Sequence, residues 1–378
     1  MQINSFKKYI SHIDWTLVLV LIPILCAGLV TMSSFVGESS FFWRQFIFII
    51  IGFVFFFIFS NSDIRFLKKS RLLFGLFVFF LGILIVLFAV GHTSNGAKSW
   101  FNFGFFSFQP VDMVKVIVVL ILAKYFSRRH VEIAQTRHLL ISGLYAFIPF
   151  ILVFLQPDFG SAMIILIVWF GMALISGLGR KQLLILSSIG LIAFLSLWLF
   201  VFKPYQKARI MNFVNPTSDI KGSGYNAYQS TIAVGSGQLM GKGVGFGTQS
   251  RLEFLPEYQT DFIFAAYSEE WGFLGSFIIL ILYCILIWRI IKTSLIGATN
   301  FEMLYGVGIA ILFFSHAMIN IGMNIGVLPV TGIPLPFMSY GGSHIVTELA
   351  ALGLLMSTRK YSRATHRDRM KNEFLGIA

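Results

Sequence analysis

Apolar stretches of about 20 residues recur roughly ten times along this chain, and each is long enough to cross the hydrocarbon core of a bilayer as a helix. They run at roughly 14 to 33, 43 to 61, 72 to 91, 110 to 126, 139 to 156, 161 to 178, 183 to 202, 267 to 288, 302 to 322 and 341 to 358. The expected fold class is therefore an all-α polytopic membrane protein of about ten transmembrane helices. Only 12% of the 378 residues are charged while 57% are hydrophobic, against roughly 25% charged in an ordinary soluble domain.

Lys and Arg set the orientation, because they gather in alternate loops. With the N-terminus inside, the inner segments hold Lys7 and Lys8, the group Arg65 to Arg71, Arg128 and Arg129, Arg180 and Lys181, Arg289 and Lys292, and a basic tail from Arg359. Both termini are thus expected in the cytoplasm, in a multi-pass protein of the cytoplasmic membrane. The formal net charge of +13 is accounted for by inner loops anchored to anionic lipid, and no nucleic-acid partner is called for. The first apolar run follows Lys7 and Lys8 and lacks a small-residue cleavage site, so it is expected to be retained. Cys26 and Cys284 lie within apolar runs and suggest neither a disulfide framework nor a metal site.

The segment 203–260, between the seventh and eighth spans, is the one sizeable extramembrane loop, expected to pack on a single domain covering 1–378. It carries Lys203, Lys207, Arg209, Lys221, Lys242 and Arg251 on the outer side, where positive charge needs a reason. Its glycines at 235–247 suit tight turns and close backbone approach better than a nucleotide loop, because no strand and capped helix frame them.

Candidate chemistry collects on that outer side. Glu253, Glu257 and Asp261 stand four residues apart, and Asp261 opens an apolar segment. A carboxylate where water gives way to hydrocarbon resists ionisation, which lifts its pKa toward the range of a general base. Gln109-Pro110-Val111-Asp112 and Gln156-Pro157-Asp158 each place Pro in the first turn of a helix with an acid just inside. Asp112 and Lys115, i and i+3, either form a structural pair or present Lys115 to a substrate phosphate. Arg209 suits bidentate phosphate recognition, with solvated loop charge as the alternative. Lys98 is a further outer cation, and Trp100 is an interfacial anchor or a sugar platform. Glu269 and Glu270 are expected to pair helices, and His344 and Glu348 to pair with each other. Pro329, Pro334 and Pro336 forbid regular helix over 328–342 and predict a re-entrant loop beside a pocket, with Ser339 within it. One acid among cations and an apolar groove suits a lipid-linked phosphate substrate.

At these residues the chain resembles the SEDS family of shape, elongation, division and sporulation proteins. The resemblance rests on Gly326-Val-Leu-Pro-Val-Thr-Gly-Ile-Pro-Leu-Pro-Phe-Met-Ser-Tyr-Gly-Gly-Ser343, with Asn320 before it. Gln156-Pro-Asp-Phe-Gly-Ser-Ala162, Pro204-Tyr-Gln-Lys-Ala-Arg209 and Leu255-Pro-Glu-Tyr-Gln-Thr-Asp-Phe-Ile-Phe264 match other blocks. The resemblance implies a ten-helix peptidoglycan glycosyltransferase that polymerises lipid II outside the cytoplasmic membrane. It implies Asp261 as catalytic acid–base group, Glu253 and Glu257 as supporting acids, and Lys115 and Arg209 as substrate-facing cations; Asp112, Gln109, Asp158, Lys98, Trp100 and Ser339 complete the candidate substrate-binding set. A class B penicillin-binding protein and membrane proteins of the elongation complex are the implied partners. The short tails and Asp14-Trp15 resemble the RodA branch. Two departures stand out: Asp112 lies where family members usually have Glu, and His344 where they have a small residue. A lipid-linked precursor transporter and a noncatalytic scaffold for the crosslinking partner remain alternatives, and whether a divalent cation sits by Asp261 is left open.

Overall fold

The computed structural model describes residues 11–35, 39–63, 66–67, 70–94, 97–102, 104, 107–129, 136–215, 222, 224–252 and 254–374. Its helices are α1 (Trp15–Ser33), α2 (Ser39–Asn61), α3 (Ser70–Val90), α4 (Pro110–Arg129), α5 (Thr136–Leu155), α6 (Phe159–Ile175) and α7 (Arg180–Ser196, continued by a π-turn Leu197–Val201). They are followed by α8 (Pro204–Val214), α9 (Tyr225–Ser236), α10 (Thr248–Arg251), α11 (Ile263–Ser294), α12 (Asn300–Asn324) and α13 (Gly342–Phe374). Seven described segments are long and apolar enough to cross a membrane: α1, α2, α3, α5, α7 with its π-turn, α11 and α12. The apolar α6 is shorter, at 17 residues.

One element departs from the all-α expectation. Between α3 and α4 the chain forms a small antiparallel sheet of β1 (His92–Ser94), β2 (Ala97–Asn102) and β3 (Ser107–Phe108), in the order β1-β2-β3. Trp100 pairs with His92, and Phe101 with Phe108. The strands are too short to stand out from the surrounding apolar pattern.

Close helix contacts rely on small residues, as expected where lipid offers no hydrophobic drive to associate. A Cβ on Gly353 would collide with the backbone of Phe56, and one on Gly342 with the ring of Phe48, which lets α13 lie along α2. At the end of the molecule where α11 finishes, Asp14 caps α1, accepting from Thr16 N (3.1 Å) and Leu17 N. Its carboxylate also pairs with Arg289 of α11 and Arg359 of α13 and accepts from Thr293 Oγ1 (3.2 Å). One buried acid thus ties three helices together. Helix α7 has no buried residue, unlike the other described spans.

Helix α11 is broken. Gly272 has φ 66° and ψ −164°, conformations an L side chain rarely adopts, and the break frees backbone groups on both sides. The Gly-rich segment meets them: Phe273 N donates to Gln238 O (2.8 Å) and Leu274 N to Leu239 O (3.1 Å). In return Lys242 N donates to Glu269 O and Gly243 N to Glu270 O, both at 3.0 Å. Gly241 presses so closely on the Glu270 carbonyl that a Cβ has no room. The glycines of this loop therefore serve backbone approach to a broken membrane helix, where an unpaired amide is expensive.

Candidate active site

Asp261 lies two residues before α11, in a turn that the protein holds from both sides. Its carbonyl accepts from Asn320 Nδ2 (2.9 Å) and Asn324 Nδ2 (3.0 Å) of α12. Asn320 Nδ2 also donates to Ile333 O (2.7 Å), so one amide fixes the Asp261 turn and the re-entrant segment together. Ser339 completes the clamp, donating to Thr260 O (2.6 Å) and accepting from Leu335 N (2.8 Å), while Tyr340 N donates to Gln259 O (2.9 Å). The carboxylate itself faces Gly332, whose φ is +74°; a Cβ there would stand 3.3 Å from Asp261 Oδ2.

The Asp261 side chain keeps part of its surface accessible, yet its surroundings resist its charge. Burial first, then the neighbouring Glu257 carboxylate, pushes its pKa up; Arg209 opposes the shift and Asp158 adds to it, leaving a value of about 7. Glu257 sits at φ +54° with its carboxylate taking Thr260 Oγ1 at 2.9 Å. Asp158 caps α6 through Ser161 N (3.0 Å) and also accepts from Gln109 Nε2 (3.4 Å). Arg209, on α8, is exposed. Asp261, Glu257, Asp158 and Arg209 thus share one electrostatic neighbourhood, with Gln109 attached through Asp158.

Other sequence-predicted residues lie elsewhere. Asp112 and Lys115 are both buried and bond to each other at 3.2 Å, and His344 Nδ1 stands 3.3 Å from the same Asp112 oxygen. His344 Nε2 is 3.0 Å from Glu348 Oε1, and the His316 ring lies 5.4 Å from that of His344. This cluster grips the re-entrant segment: Glu348 Oε2 accepts from Phe337 N (2.9 Å), and Tyr283 Oη donates to Pro336 O. The expected His344–Glu348 pair is present, and His344 also bridges to Asp112. Ser339, expected among substrate-binding groups, is buried with its hydroxyl committed to protein partners at 2.6 and 2.8 Å. Glu269 and Glu270 join helices as expected: Glu269 links α11 to α9 through Ser236 Oγ (3.5 Å) and to the first turn of α10, and Glu270 bonds Ser34 at the end of α1. Glu269 takes Lys242 Nζ (2.6 Å), Thr248 N (2.9 Å) and Gln249 N (3.1 Å), and Glu270 takes Gly245 N (3.0 Å), so both pin the Gly-rich loop to α11.

Trp100 is half-buried in β2. Glu253 and the side chain of Lys98 lie outside the described residues. Among the described residues no three His, Cys, Asp or Glu side chains gather as a metal site would require. Asn320 and Asn324 are the positioning residues least evident as a pair from sequence: Asn324 sits one turn beyond Asn320, at the spacing that puts both amides on one face of α12.

Bilayer-length apolar helices make this a multi-pass membrane protein. At one end, between two clamped loops, the Asp261 carboxyl is raised to about 7 with Glu257, Asp158 and Arg209 around it. The FtsW/RodA/SpoVE family, described as "Cell cycle protein", matches residues 8–364, and the chain belongs to that family. It is 37% identical to stage V sporulation protein E of Bacillus subtilis (strain 168), over 93% of this chain and 98% of that protein. It is 38% identical to peptidoglycan glycosyltransferase MrdB of Escherichia coli (strain K12), over 76% of this chain and 78% of that one. Among solved structures, it resembles the rod shape determining protein RodA of Thermus thermophilus with a TM-score of 0.69 and 29% identity, covering 92% of this chain and 96% of that one. A chain from a peptidoglycan synthase complex, solved to explain how polymerization and crosslinking are coordinated, gives a TM-score of 0.80 at 29% identity, covering 92% of this chain and 98% of that one.

Proposed function

We propose that this chain, as a peptidoglycan glycosyltransferase, polymerises lipid II into glycan strands during cell elongation, with Asp261 as general base. The observation that carries the reading is Asp261, whose backbone carbonyl is held by Asn320 and Asn324 of α12 and whose carboxyl is raised to about 7 with Arg209 nearby. Near neutral pH such a group is ionised often enough to accept a proton and basic enough to hold it.

In the reaction, the 4-hydroxyl oxygen of the lipid II N-acetylglucosamine attacks the anomeric carbon at the lipid-linked end of the growing strand. The O4–H proton passes to the Asp261 carboxylate as the new C–O bond forms. The bond from the anomeric carbon to the pyrophosphate breaks on the opposite face, so undecaprenyl pyrophosphate departs with inversion. Arg209, exposed on α8, meets the negative charge of that leaving group. Glu257, Asp158 and Gln109 shape the field and the walls around Asp261. Ser339, with its hydroxyl already engaged, positions the loop instead of the substrate, and the Asp112–Lys115 pair supports the re-entrant segment through His344 and Glu348.

Ten spans fit this work: the seven apolar ones, the short α6, α4 with Asp112 and Lys115 paired within it, and the first part of α13. That even count keeps both termini in the cytoplasm and Asp261 outside it, at the end facing a class B penicillin-binding protein and other elongation proteins. The loop 203–260, with α8 to α10 in it, belongs to the same single domain.

Polymerisation of purified lipid II by the chain with its crosslinking partner tests the assignment. The expected result is glycan polymer from the unaltered chain and none from Asp261→Asn, with folding and partner binding intact. Polymer of unchanged length from Asp261→Asn would point to a scaffold, and movement of lipid II across vesicles without polymer would point to a transporter.

A further inference from the structure

The end of the molecule remote from Asp261 carries a cationic cavity that the polymerisation reaction does not use. Helix α11 starts just after Asp261 and finishes at Ser294; Thr299, Asn300 and Phe301 follow at that far end. There, a cavity of about 320 Å³ is lined by these three residues with Lys124, Ser127 and Arg128. A second cavity, about 460 Å³, shares Lys124 and Arg128 and is lined also by Arg71, Leu73, Phe74, Ile121, Tyr125 and Tyr145. Among the described residues, no Asp or Glu lines either one.

Lys124 Nζ is the telling atom. The atom is buried, on a half-buried side chain, and has no hydrogen-bond partner among the described residues. An ammonium withdrawn from water without a counter-charge is costly, and the neighbouring Arg128 and Arg71 make the field there more positive still. An anion between the three cations would remove the penalty. The larger cavity also identifies the kind of anion, because its remaining wall is apolar and aromatic and Phe74 is 54% exposed on the helix surface that meets lipid tails. A soluble anion has no use for that wall, whereas the acyl chains of a lipid do.

We propose that Arg71, Lys124 and Arg128 bind the phosphate of a two-chain anionic phospholipid, with its headgroup between α3 and α4 and its chains lying over Phe74. The site is separate from the Asp261 reaction and does not depend on that assignment.

The test uses the full chain, purified in detergent and stripped of lipid, titrated with phosphatidylglycerol and read by native mass spectrometry. One phosphatidylglycerol should bind, with affinity falling about fivefold for each cation removed, in Lys124→Met, Arg128→Gln and Arg71→Gln. Phosphatidylcholine should bind far more weakly. The pair Arg180→Gln with Lys181→Gln, basic positions at the start of α7 that line neither cavity, should leave binding unchanged. Equal phosphatidylglycerol binding by the three variants and the unaltered chain overturns the proposal. Competition by glycerol 3-phosphate as effective as that by the lipid overturns the lipid assignment in favour of a free phosphate ester. Should Lys124→Met fail to fold, Arg128→Gln and Arg71→Gln decide the matter.

Discussion

At the scale of single residues, the raised carboxyl of Asp261, the proposed base, makes the stability of the fold depend on pH. Its carboxyl is held at about 7 in the folded chain against an ordinary 3.8, so between those two values the folded state keeps a proton that the unfolded state has released. Folding stability contributed by this group is therefore greatest at low pH and falls as pH rises through that window, the opposite of a salt-bridged acid. Asp261→Asn should remove that slope, seen as a smaller loss of Tm in detergent between pH 4 and 7; an unchanged slope would mean the carboxyl is not held protonated. Arg209 pulls in the other direction, since it lowers the Asp261 value. Arg209→Gln should shift the acidic limb of the polymerisation profile to higher pH, while Arg251→Gln on the same loop should leave it in place. The acid at 261 was legible in sequence because it opens an apolar segment. Its supports were not, because an Asn on an apolar helix reads as an isolated polar residue until the fold brings Asn320 and Asn324 to the carbonyl of Asp261.

At the scale of elements, two irregular segments are held by opposite means. Prolines in 328–342 announced a non-helical stretch, and side chains satisfy it: Asn320 on Ile333, Glu348 on Phe337, Tyr283 on Pro336 and Ser339 on Leu335. Ser339→Ala leaves the Leu335 amide unpaired in a buried setting and should cost about 1–3 kcal/mol of stability. The same change should lower kcat more than it raises KM, because it loosens the Thr260–Asp261 turn and not a substrate contact. Gly332→Ala should impair activity further, since it adds a Cβ beside Asp261 Oδ2 at a φ of +74°. The break in α11 was invisible, because Trp271-Gly272-Phe273 lies within an apolar run and only its pairing with residues 238–243 gives Gly272 its meaning. The close backbone approach expected of the Gly-rich loop is present at Gly241 and Gly243, but the break it meets, at Gly272, lies in a different segment.

At the scale of the molecule, the alternation of basic loops and apolar stretches located the helices, since each of the ten sequence segments has a helix at its place. What it could not convey is how the ends are fastened. Asp14 reads as an ordinary helix cap, yet it joins α1 to Arg289 and Arg359 across the fold. Asp14→Asn would leave two cations facing each other and should destabilise the chain by about 3–5 kcal/mol, measurable as a lowered Tm with polymerisation intact at low temperature. The small sheet at 92–108 and the exposed α7 likewise depend on packing that no single segment encodes.

The central claim is that Asp261 works as the base, and the pH dependence of lipid II polymerisation tests it most directly. With the crosslinking partner present and lipid II saturating, the rate should rise with pH through a single ionisation near 7, the value the Asp261 surroundings impose. Asp261→Asn should be inactive across the range. A rate that rises instead around pH 4, as for an ordinary exposed carboxylate, or an Asp261→Asn chain that polymerises with the same profile, would contradict it.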